Sequence, residues 1–360
     1  VKACRRAECR KGSSCAFRTM TAGKRHVNIP VFIPHLGCPN DCIFCNQRSI
    51  SGKRSFDEGA VKDGIEAALA TVPDCEAEIA FFGGSFTGID RGLMIRLLDT
   101  AENFVRDGRV TGIRLSTRPD YISREILDIL SRYTVKTVEL GIQSMDDNVL
   151  SAAKRGHTAA DSENACRLVK EYGFSLVGQM MTGLPYSTPE SEIMTAERIC
   201  GLSADGARIY PTMVFHGTEL EKMTLDGRYI PPVPDDAVSR TAGVLGVFVS
   251  HGVPVIRIGL HSGETLYAED GIAFGAYHPA MGELVEGELY YRAECRELEK
   301  YSGMTSGRTA LFTVPSAEIS KAVGQKRRNT VRLINNFGLS GVKFRGDGGI
   351  PQYSCRVSLI

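Results

Sequence analysis

Residues 31–47 read VFIPHLGCPNDCIFCNQ, an apolar run followed at once by a loop that carries three cysteines. Three residues separate Cys38 from Cys42, and two residues separate Cys42 from Cys45. Thiolates at this spacing can each bind one iron of a 4Fe-4S cubane, which leaves the fourth iron without a protein ligand. Because no further cysteine follows at a short gap, an electron-carrying cluster with four cysteine ligands is disfavoured. The loop therefore predicts a cluster with an open iron site.

A structural zinc ion and three free core cysteines are the alternatives for this loop. Structural zinc needs a closed tetrahedral ligand set, and the nearest extra donor is His35, three residues before Cys38. Free thiols in a core would leave the regular spacing unexplained. The ligand count favours the cluster over both alternatives.

The composition predicts a large globular protein. With 360 residues and 42% hydrophobic content, the chain is longer than a usual single domain unless the fold is a barrel. The net charge of +1 gives no general bias toward nucleic acid or membrane, so any surface for a charged partner must be local. We expect one barrel with a small appendage.

The cysteine usage and the hydropathy pattern predict a cytoplasmic protein without a membrane partner. The 11 cysteines are odd in number and lack the spacing of a secreted disulfide framework, which favours a reducing compartment. No stretch approaches the roughly 20 apolar residues of a membrane span, and the N-terminal residues lack the apolar segment of a signal peptide.

Between residues 28 and 249, short runs rich in Val, Ile and Phe alternate with segments of helical period, which is typical of βα units on a parallel sheet. The predicted strands are residues 31–34, 78–82, 112–116, 137–142, 176–181 and 207–212. The predicted helices are residues 57–71, 90–106, 123–133, 146–154, 161–172, 189–201 and 235–250. Six units are too few for a closed barrel, so the sequence predicts an α/β fold with a partial (βα)6 TIM-like barrel, whose chemistry lies at the C-terminal strand ends.

The sequence divides into four predicted regions. Residues 1–23 are basic and lack apolar periodicity, which predicts a disordered extension or translated upstream sequence. Residues 24–250 form the barrel, and residues 251–307, rich in Gly, His and Tyr, form a lid or flank. Residues 308–360 form a small C-terminal α+β module.

The cysteine loop resembles the signature of the radical S-adenosylmethionine (SAM) superfamily, in which an aromatic residue precedes the third cysteine. Phe44 has that place here. The resemblance implies that the cluster and SAM are the cofactors and that a reductant such as flavodoxin or ferredoxin supplies an electron. It also implies that SAM is cleaved to methionine and a 5′-deoxyadenosyl radical, which removes a hydrogen atom from the substrate.

Gly83 and Gly84 follow the second predicted strand, in FFGGSFTG. In the resembled superfamily a Gly-Gly pair at this place binds the methionyl amino group of SAM, and glycine permits close backbone approach to a ligand. A plain tight turn is the alternative. The Glu that usually follows the pair is Ser85 in this chain.

The motifs LSTRPDY, ELGIQS and GQMMTGLP at later strand ends resemble the catalytic subunit of elongator and oxygen-independent coproporphyrinogen oxidase. The resemblance implies that Ser116 replaces a SAM-contacting carboxylate, that Gln143 contacts the SAM ribose and that Arg155 lies near the SAM carboxylate. Gln179 stands where the porphyrin enzyme has an Asp for the ribose. Alternatively, Gln143 caps a strand end and Arg155 pairs with a nearby aspartate on a solvated helix. The residues identify no further catalytic group.

The elongator-like motifs cover roughly residues 28–221, and RIYPTMVFHGTEL is the last of them. Nothing after them resembles an acetyltransferase with a pyrophosphate loop for coenzyme A. The segment from residue 313, VPSAEISKAVGQKRRNTVRLINNFGLSGVKFRGD, instead resembles a KH module of the transcription factor NusA. We expect a strand, a helix, a basic turn, a second helix and a final strand.

KH modules hold nucleic-acid backbone with a Gly-x-x-Gly turn between two helices. Here Gly324 begins the turn, and Arg327 replaces the second glycine. Lys326, Arg327 and Arg328 supply positive charge at a helix N-terminus, where phosphate is favoured. A solvated basic turn on a purely structural module is the alternative.

These patterns predict a radical SAM enzyme that modifies RNA, with tRNA as the expected substrate. A radical SAM enzyme acting on a small metabolite, as the porphyrin oxidase does, is a second hypothesis. A non-catalytic RNA-binding factor with a structural or redox-sensing cluster is a third.

Overall fold

The computed structural model describes residues 26–33, 36–39, 42–46, 56–72, 75–260, 266 and 271–360. The predicted N-terminal extension and His35 lie outside these residues. Among the described residues, no helix is long and apolar enough to cross a membrane.

Twelve strands and eleven α-helices are assigned in the described part of the chain. The strands are β1 (His26–Phe32), β2 (Glu76–Phe82), β3 (Gly112–Thr117), β4 (Val135–Gln143), β5 (Ser175–Thr182), β6 (Gly206–Pro211), β7 (Met213–Phe215), β8 (Val255–Ile258), β9 (Ile272–Gly275), β10 (Thr309–Val314), β11 (Gly341–Gly346) and β12 (Arg356–Leu359). The helices are α1 (Val61–Ala70), α2 (Arg91–Arg106), α3 (Arg124–Leu130), α4 (Asp147–Ala152), α5 (Ala159–Glu171), α6 (Pro189–Gly201), α7 (Glu219–Leu225), α8 (Pro234–Ser250), α9 (Met281–Glu299), α10 (Ile319–Val323) and α11 (Arg328–Phe337).

The main sheet is parallel, with the strand order β1-β2-β3-β4-β5-β6-β8. The predicted α/β partial barrel is therefore confirmed, but the sheet has seven strands where the sequence predicted six. The missed strand, β8, is only four residues long and lies at the sheet edge, where Ile256 is 47% exposed. A short edge strand of this kind lacks the continuous apolar run of a buried parallel strand.

The two faces of the sheet differ in chemistry. Apolar residues such as Ile79, Ile113 and Leu140 are fully buried in the main core with the surrounding helices. On the opposite face, ionic and amide side chains from β2 to β6 contact one another across the strands. Because successive side chains of a strand alternate between faces, the hollow of the partial barrel is polar.

The C-terminal residues form a second layer beside the barrel. A three-stranded sheet of order β11-β10-β12 packs on α10 and α11. The strand, helix, turn, helix and strand predicted for this segment are observed in that order. The likeness of this module to a KH module stays a prediction.

Helix α9 belongs to the segment, residues 251–307, that the sequence predicted to be a lid or flank. It is 19 residues long, and it contributes Val285 to the barrel core and Tyr290 and Leu298 to the core of the C-terminal module. A helix that is buried on more than one side lacks a single apolar stripe, so its helical period is hidden in the sequence.

Glu294 of α9 is fully buried, and neither of its carboxylate oxygens has a hydrogen-bond partner among the described residues. Burial raises the pKa of Glu294 well above 4.5, its ordinary value, and the positive charge of Arg332 opposes this only in part. Above pH 4.5 the unfolded chain releases the proton of Glu294, whereas the folded state keeps it. The free energy of unfolding therefore falls as the pH rises above 4.5.

We expect the Glu294→Gln variant to unfold near the wild-type temperature at pH 5 and at a higher temperature than the wild type at pH 8. The reason is that glutamine fills the same space and has no carboxyl group that must stay protonated in the folded state. Thermal unfolding followed by circular dichroism between pH 5 and pH 8 measures the difference. Glu299→Gln, on the exposed side of the same helix, is the matched control. A temperature difference that does not change with pH would contradict the prediction.

Candidate functional site

The cysteine loop follows β1 at the C-terminal edge of the sheet, and Cys38, Cys42 and Cys45 are half-buried and form no disulfide with a described residue. Ile43 anchors the loop, because its side chain is 2% exposed and packs with Leu220. The Ile43 N–H donates to the carbonyl oxygen of Ala153 (3.3 Å), and the Ile43 carbonyl accepts from the N–H of Leu220 (2.9 Å). These contacts fix the middle of the cysteine loop, and the binding of a cluster by the three thiols stays a prediction.

The residues after β2 press directly against the cysteine loop. The N–H of Ser85 donates to the carbonyl of Leu36 (3.1 Å), and the Cys38 Sγ donates to the Ser85 Oγ (3.3 Å). A Cβ on Gly84 would lie 2.4 Å from the Leu36 carbonyl oxygen, and Gly83 has φ of +91°, which favours glycine. Gly84 thus permits loop packing, and the predicted contact of this pair with SAM stays a prediction.

Two guanidinium groups approach Cys42. Nη1 of Arg155 lies 3.1 Å from the Cys42 Sγ, and its Nη2 donates to the Gly141 carbonyl (2.6 Å). Nη1 of Arg118 lies 3.8 Å from the same sulfur. Arg118 is held by a bidentate pair with Asp120 (2.9 Å for each contact) and by a hydrogen bond to the Arg155 carbonyl.

The charge on Arg118 is stabilised in spite of its burial. Burial acts to lower the pKa of Arg118, but the hydrogen bonds and negative charge of Asp120, together with the nearby Cys42 and Cys38, raise it above its ordinary value. Two permanent cations beside one sulfur offset the negative charge that thiolates bring to an iron-sulfur cluster. The donor set therefore fits a cluster.

Gln143 ends β4 with φ of +66°, an uncommon conformation for a residue other than glycine, at a register shift of the strand. The side chain is 9% exposed, and its Oε1 is buried without a hydrogen-bond partner among the described residues. A strained residue with an unused acceptor is typical of a ligand site. The arrangement fits the predicted hydrogen bond to a SAM hydroxyl, which stays a prediction.

The other predicted SAM contacts occupy different surroundings. Gln179 is half-buried and donates from Nε2 to Glu139 (2.9 Å), which is completely buried and also accepts from Arg208 (2.8 Å). Ser116 is half-buried on β3. Phe44 packs on the small core around Ile43. Gln179 is thus part of an ionic network in the hollow, whereas Arg155 contacts Cys42.

A cavity of about 540 Å³ opens beside Cys42 and Cys45. Its other lining residues are Ile43, Lys154, Gly156, Gly217, Thr218 and Glu219. This volume lies within the range of small-molecule and cofactor pockets, roughly 300–1,000 Å³. No group of three His, Cys, Asp or Glu side chains in the described ranges, the three cysteines included, is arranged to hold a single metal ion.

Sequence reasoning did not assign Arg118 or Asp120 to this site. His157 is buried 3.8 Å from Asp120, and burial, with the charge of Arg155, lowers its pKa to about 4, so it is neutral at pH 7. Arg118 and Asp120 lie in the motif LSTRPDY at the end of β3. The signal was therefore the position of these charges directly after a barrel strand.

We expect Gly84→Ala to displace the cysteine loop, because the new Cβ would meet the carbonyl oxygens of Leu36 at 2.4 Å and Ile33 at 2.6 Å. Overpacking of this kind costs about 1–3 kcal/mol. Iron content per chain after anaerobic reconstitution should fall, and thermal unfolding should report the loss of stability. Gly64→Ala is the matched control, since a Cβ there meets nothing within 4 Å and alanine favours the exposed helix α1. Equal iron content in both variants would refute the packing role.

Comparison with known proteins places this geometry in a family. The model of the radical SAM superfamily matches residues 32–199, and that of the radical SAM C-terminal domain matches residues 204–291. A tRNA uridine(34) acetyltransferase of Dehalococcoides mccartyi is 28% identical over 243 residues, with 56% of this chain and 52% of that protein covered. An uncharacterized protein of Methanocaldococcus jannaschii is 30% identical over 214 residues, with coverage of 56% and 65%.

A solved structure of Methanocaldococcus infernus Elp3 with an N-terminal deletion has a TM-score of 0.58 and 22% identity, with 78% of this chain and 64% of that chain covered. This likeness shows the fold. The chain spans between about half and two thirds of the length of these relatives. The two family models together match well over half of the chain. The chain is therefore an enzyme of the radical SAM superfamily, whose cofactors are a 4Fe-4S cluster and SAM.

Proposed function

We propose that this enzyme modifies RNA, and specifically tRNA. The observation that carries the proposal is the joining of two features in one chain. The first is the set of three thiols and two guanidiniums beside an open cavity. The second is a C-terminal module with exposed basic residues, in a chain whose relatives include proteins named as tRNA uridine(34) acetyltransferases. The acetyl-transfer reaction in that name is not part of the proposal.

In this proposal, Cys38, Cys42 and Cys45 hold the cluster, which when bound supplies the electron for SAM cleavage. Arg155 is placed to offset negative charge beside Cys42. Gln143 has a buried acceptor oxygen to orient the cofactor. The three cysteines lie in the connection after β1, while Gln143 ends β4 and Arg155 lies in the connection that follows it, so two βα connections supply the site, as expected of a barrel active site.

The basic turn of the C-terminal module supports the RNA part of the proposal. Lys326 and Arg327 are exposed and have φ of +51° and +63°, so both lie in the left-handed region. Buried Asn329 holds the turn through hydrogen bonds to the carbonyls of Gly287 (2.7 Å) and Ala322 (3.0 Å). Of the predicted RNA-binding residues, Arg328 pairs with Asp235 (2.9 Å) and Gly324 is buried. Lys326 and Arg327 are therefore the residues of the turn that present charge to a phosphate.

The proposal is tested with anaerobically reconstituted full-length protein, SAM and a reductant. We expect unfractionated tRNA to increase 5′-deoxyadenosine formation and to be retained in a salt-sensitive manner, because phosphate contacts release counterions. Cys42→Ala should abolish 5′-deoxyadenosine formation and leave tRNA retention unchanged. Stimulation by a small-metabolite fraction without any by tRNA would favour the metabolite hypothesis. Absence of SAM cleavage in the intact, iron-loaded protein would favour the non-catalytic factor.

We expect Gln143→Ala to weaken SAM binding by about 1–3 kcal/mol, the usual cost of losing a buried hydrogen bond to a ligand. Isothermal titration of the cluster-loaded protein with SAM measures the change. Iron content should stay at the wild-type level, since the Gln143 Oε1 forms no hydrogen bond with any of the three thiols in the described structure. Gln352→Ala, at an exposed position of the C-terminal module, is the control. Unchanged SAM affinity would assign Gln143 a purely structural role.

A further inference from the structure

The basic residues of the C-terminal module, apart from Arg308 and the turn residues Lys326 and Arg327, fall into two groups. Those that face helices α8 and α9 are neutralised by carboxylates. The ion pairs of this group are Lys321 with Glu286 and Glu318 (3.0 Å each), Arg328 with Asp235 (2.9 Å) and Arg332 with Glu288 (2.5 Å). These cations hold the module against the barrel and are not offered to a partner.

The second group lies on the other face of the module's sheet. Lys343 and Arg345 of β11 and Arg356 of β12 are all exposed. None of the three forms an ion pair with a residue in the part of the chain that the structure describes. The alternate residues of the same strands, Phe344 and Val357, pack into the module core. The three cations therefore share one solvent-facing surface, which we call the outer sheet face.

The strand register brings these cations together. Thr313 of β10 is paired with Arg345 on one side and with Arg356 on the other. Because adjacent strands are spaced about 4.8 Å apart, the two arginine Cα atoms lie about 10 Å from each other. Nη2 of Arg345 donates to the Thr313 Oγ1 (3.2 Å), which draws its guanidinium across the middle strand. Like charges this close make the potential of the surface positive, and a positive surface attracts anions.

We propose that the outer sheet face binds the phosphate backbone of the RNA substrate, an inference that rests on the proposed function. The residues that accompany the cations on this face are Leu311, Thr313 and Ser358, so no aromatic side chain is present for base stacking. Binding is therefore through phosphates and depends on salt more than on sequence. An anionic membrane is a poorer fit, because surface-binding segments also insert large apolar side chains.

The test measures binding of labelled, unfractionated tRNA to the full-length protein by fluorescence anisotropy at several salt concentrations. The triple variant Lys343→Gln, Arg345→Gln and Arg356→Gln should bind about tenfold or more weakly at low salt. Each lost phosphate contact should also reduce the slope of log affinity against log salt by about 0.7–0.9. The triple variant Lys62→Gln, Arg106→Gln and Arg132→Gln, at exposed positions on and beside the barrel helices, is the control.

A gain-of-charge variant excludes misfolding as the cause. Ser358 is exposed and opposite Leu311 on the same face, so Ser358→Lys should tighten tRNA binding and steepen the salt slope by about one contact. If every variant of the outer sheet face binds tRNA as tightly as the wild type does, the inference is overturned and the proposed function is left intact. Wild-type protein that binds phosphatidylserine vesicles and no tRNA would overturn both.

Discussion

The site depends above all on a backbone-to-backbone contact between the cysteine loop and the residues after β2. A Cβ on Gly37 would lie 2.2 Å from the carbonyl oxygen of Ser85, and one on Gly84 would lie 2.4 Å from that of Leu36. Neither segment can move closer to the other or accept a side chain, so the sheet itself fixes the distance between the cysteine loop and the residues after β2. The position of Cys38 is therefore set by a rigid strand end rather than by flexible side chains.

Cys42 is fixed by different means. The neighbouring Ile43 is held between the turn after α4 and the start of α7, while charges from the connections after β3 and α4 converge on the sulfur. Arg118 reaches Cys42 only because Asp120 and the Arg155 carbonyl orient its guanidinium. The loop thus combines apolar anchoring with electrostatic complementarity, and both come from elements distant in sequence.

The parts of this architecture that could be predicted from sequence are those with a local signal. The cysteine spacing and the alternation of apolar runs with helical segments are of this kind, as are the polar motifs at strand ends such as Gln143. The edge strand β8 was missed because it is short and partly exposed. Arg118 was missed because its role comes from a contact 76 residues away along the chain, which no local pattern encodes.

Helix α9 explains how the chain joins a barrel to a second module without an interface of separate domains. Apolar residues of this helix are buried in both cores, so the barrel and the C-terminal module share one continuous helix. Inter-domain contacts that are small and polar permit motion, whereas a shared buried helix opposes it. The same helix supplies Glu286 and Glu288, which neutralise Lys321 and Arg332 on the inner side of the C-terminal module. Among the described residues, positive charge without an ion-pair partner is left on the basic turn and on the outer sheet face, so the fold itself determines which surfaces of the module can attract an anionic substrate.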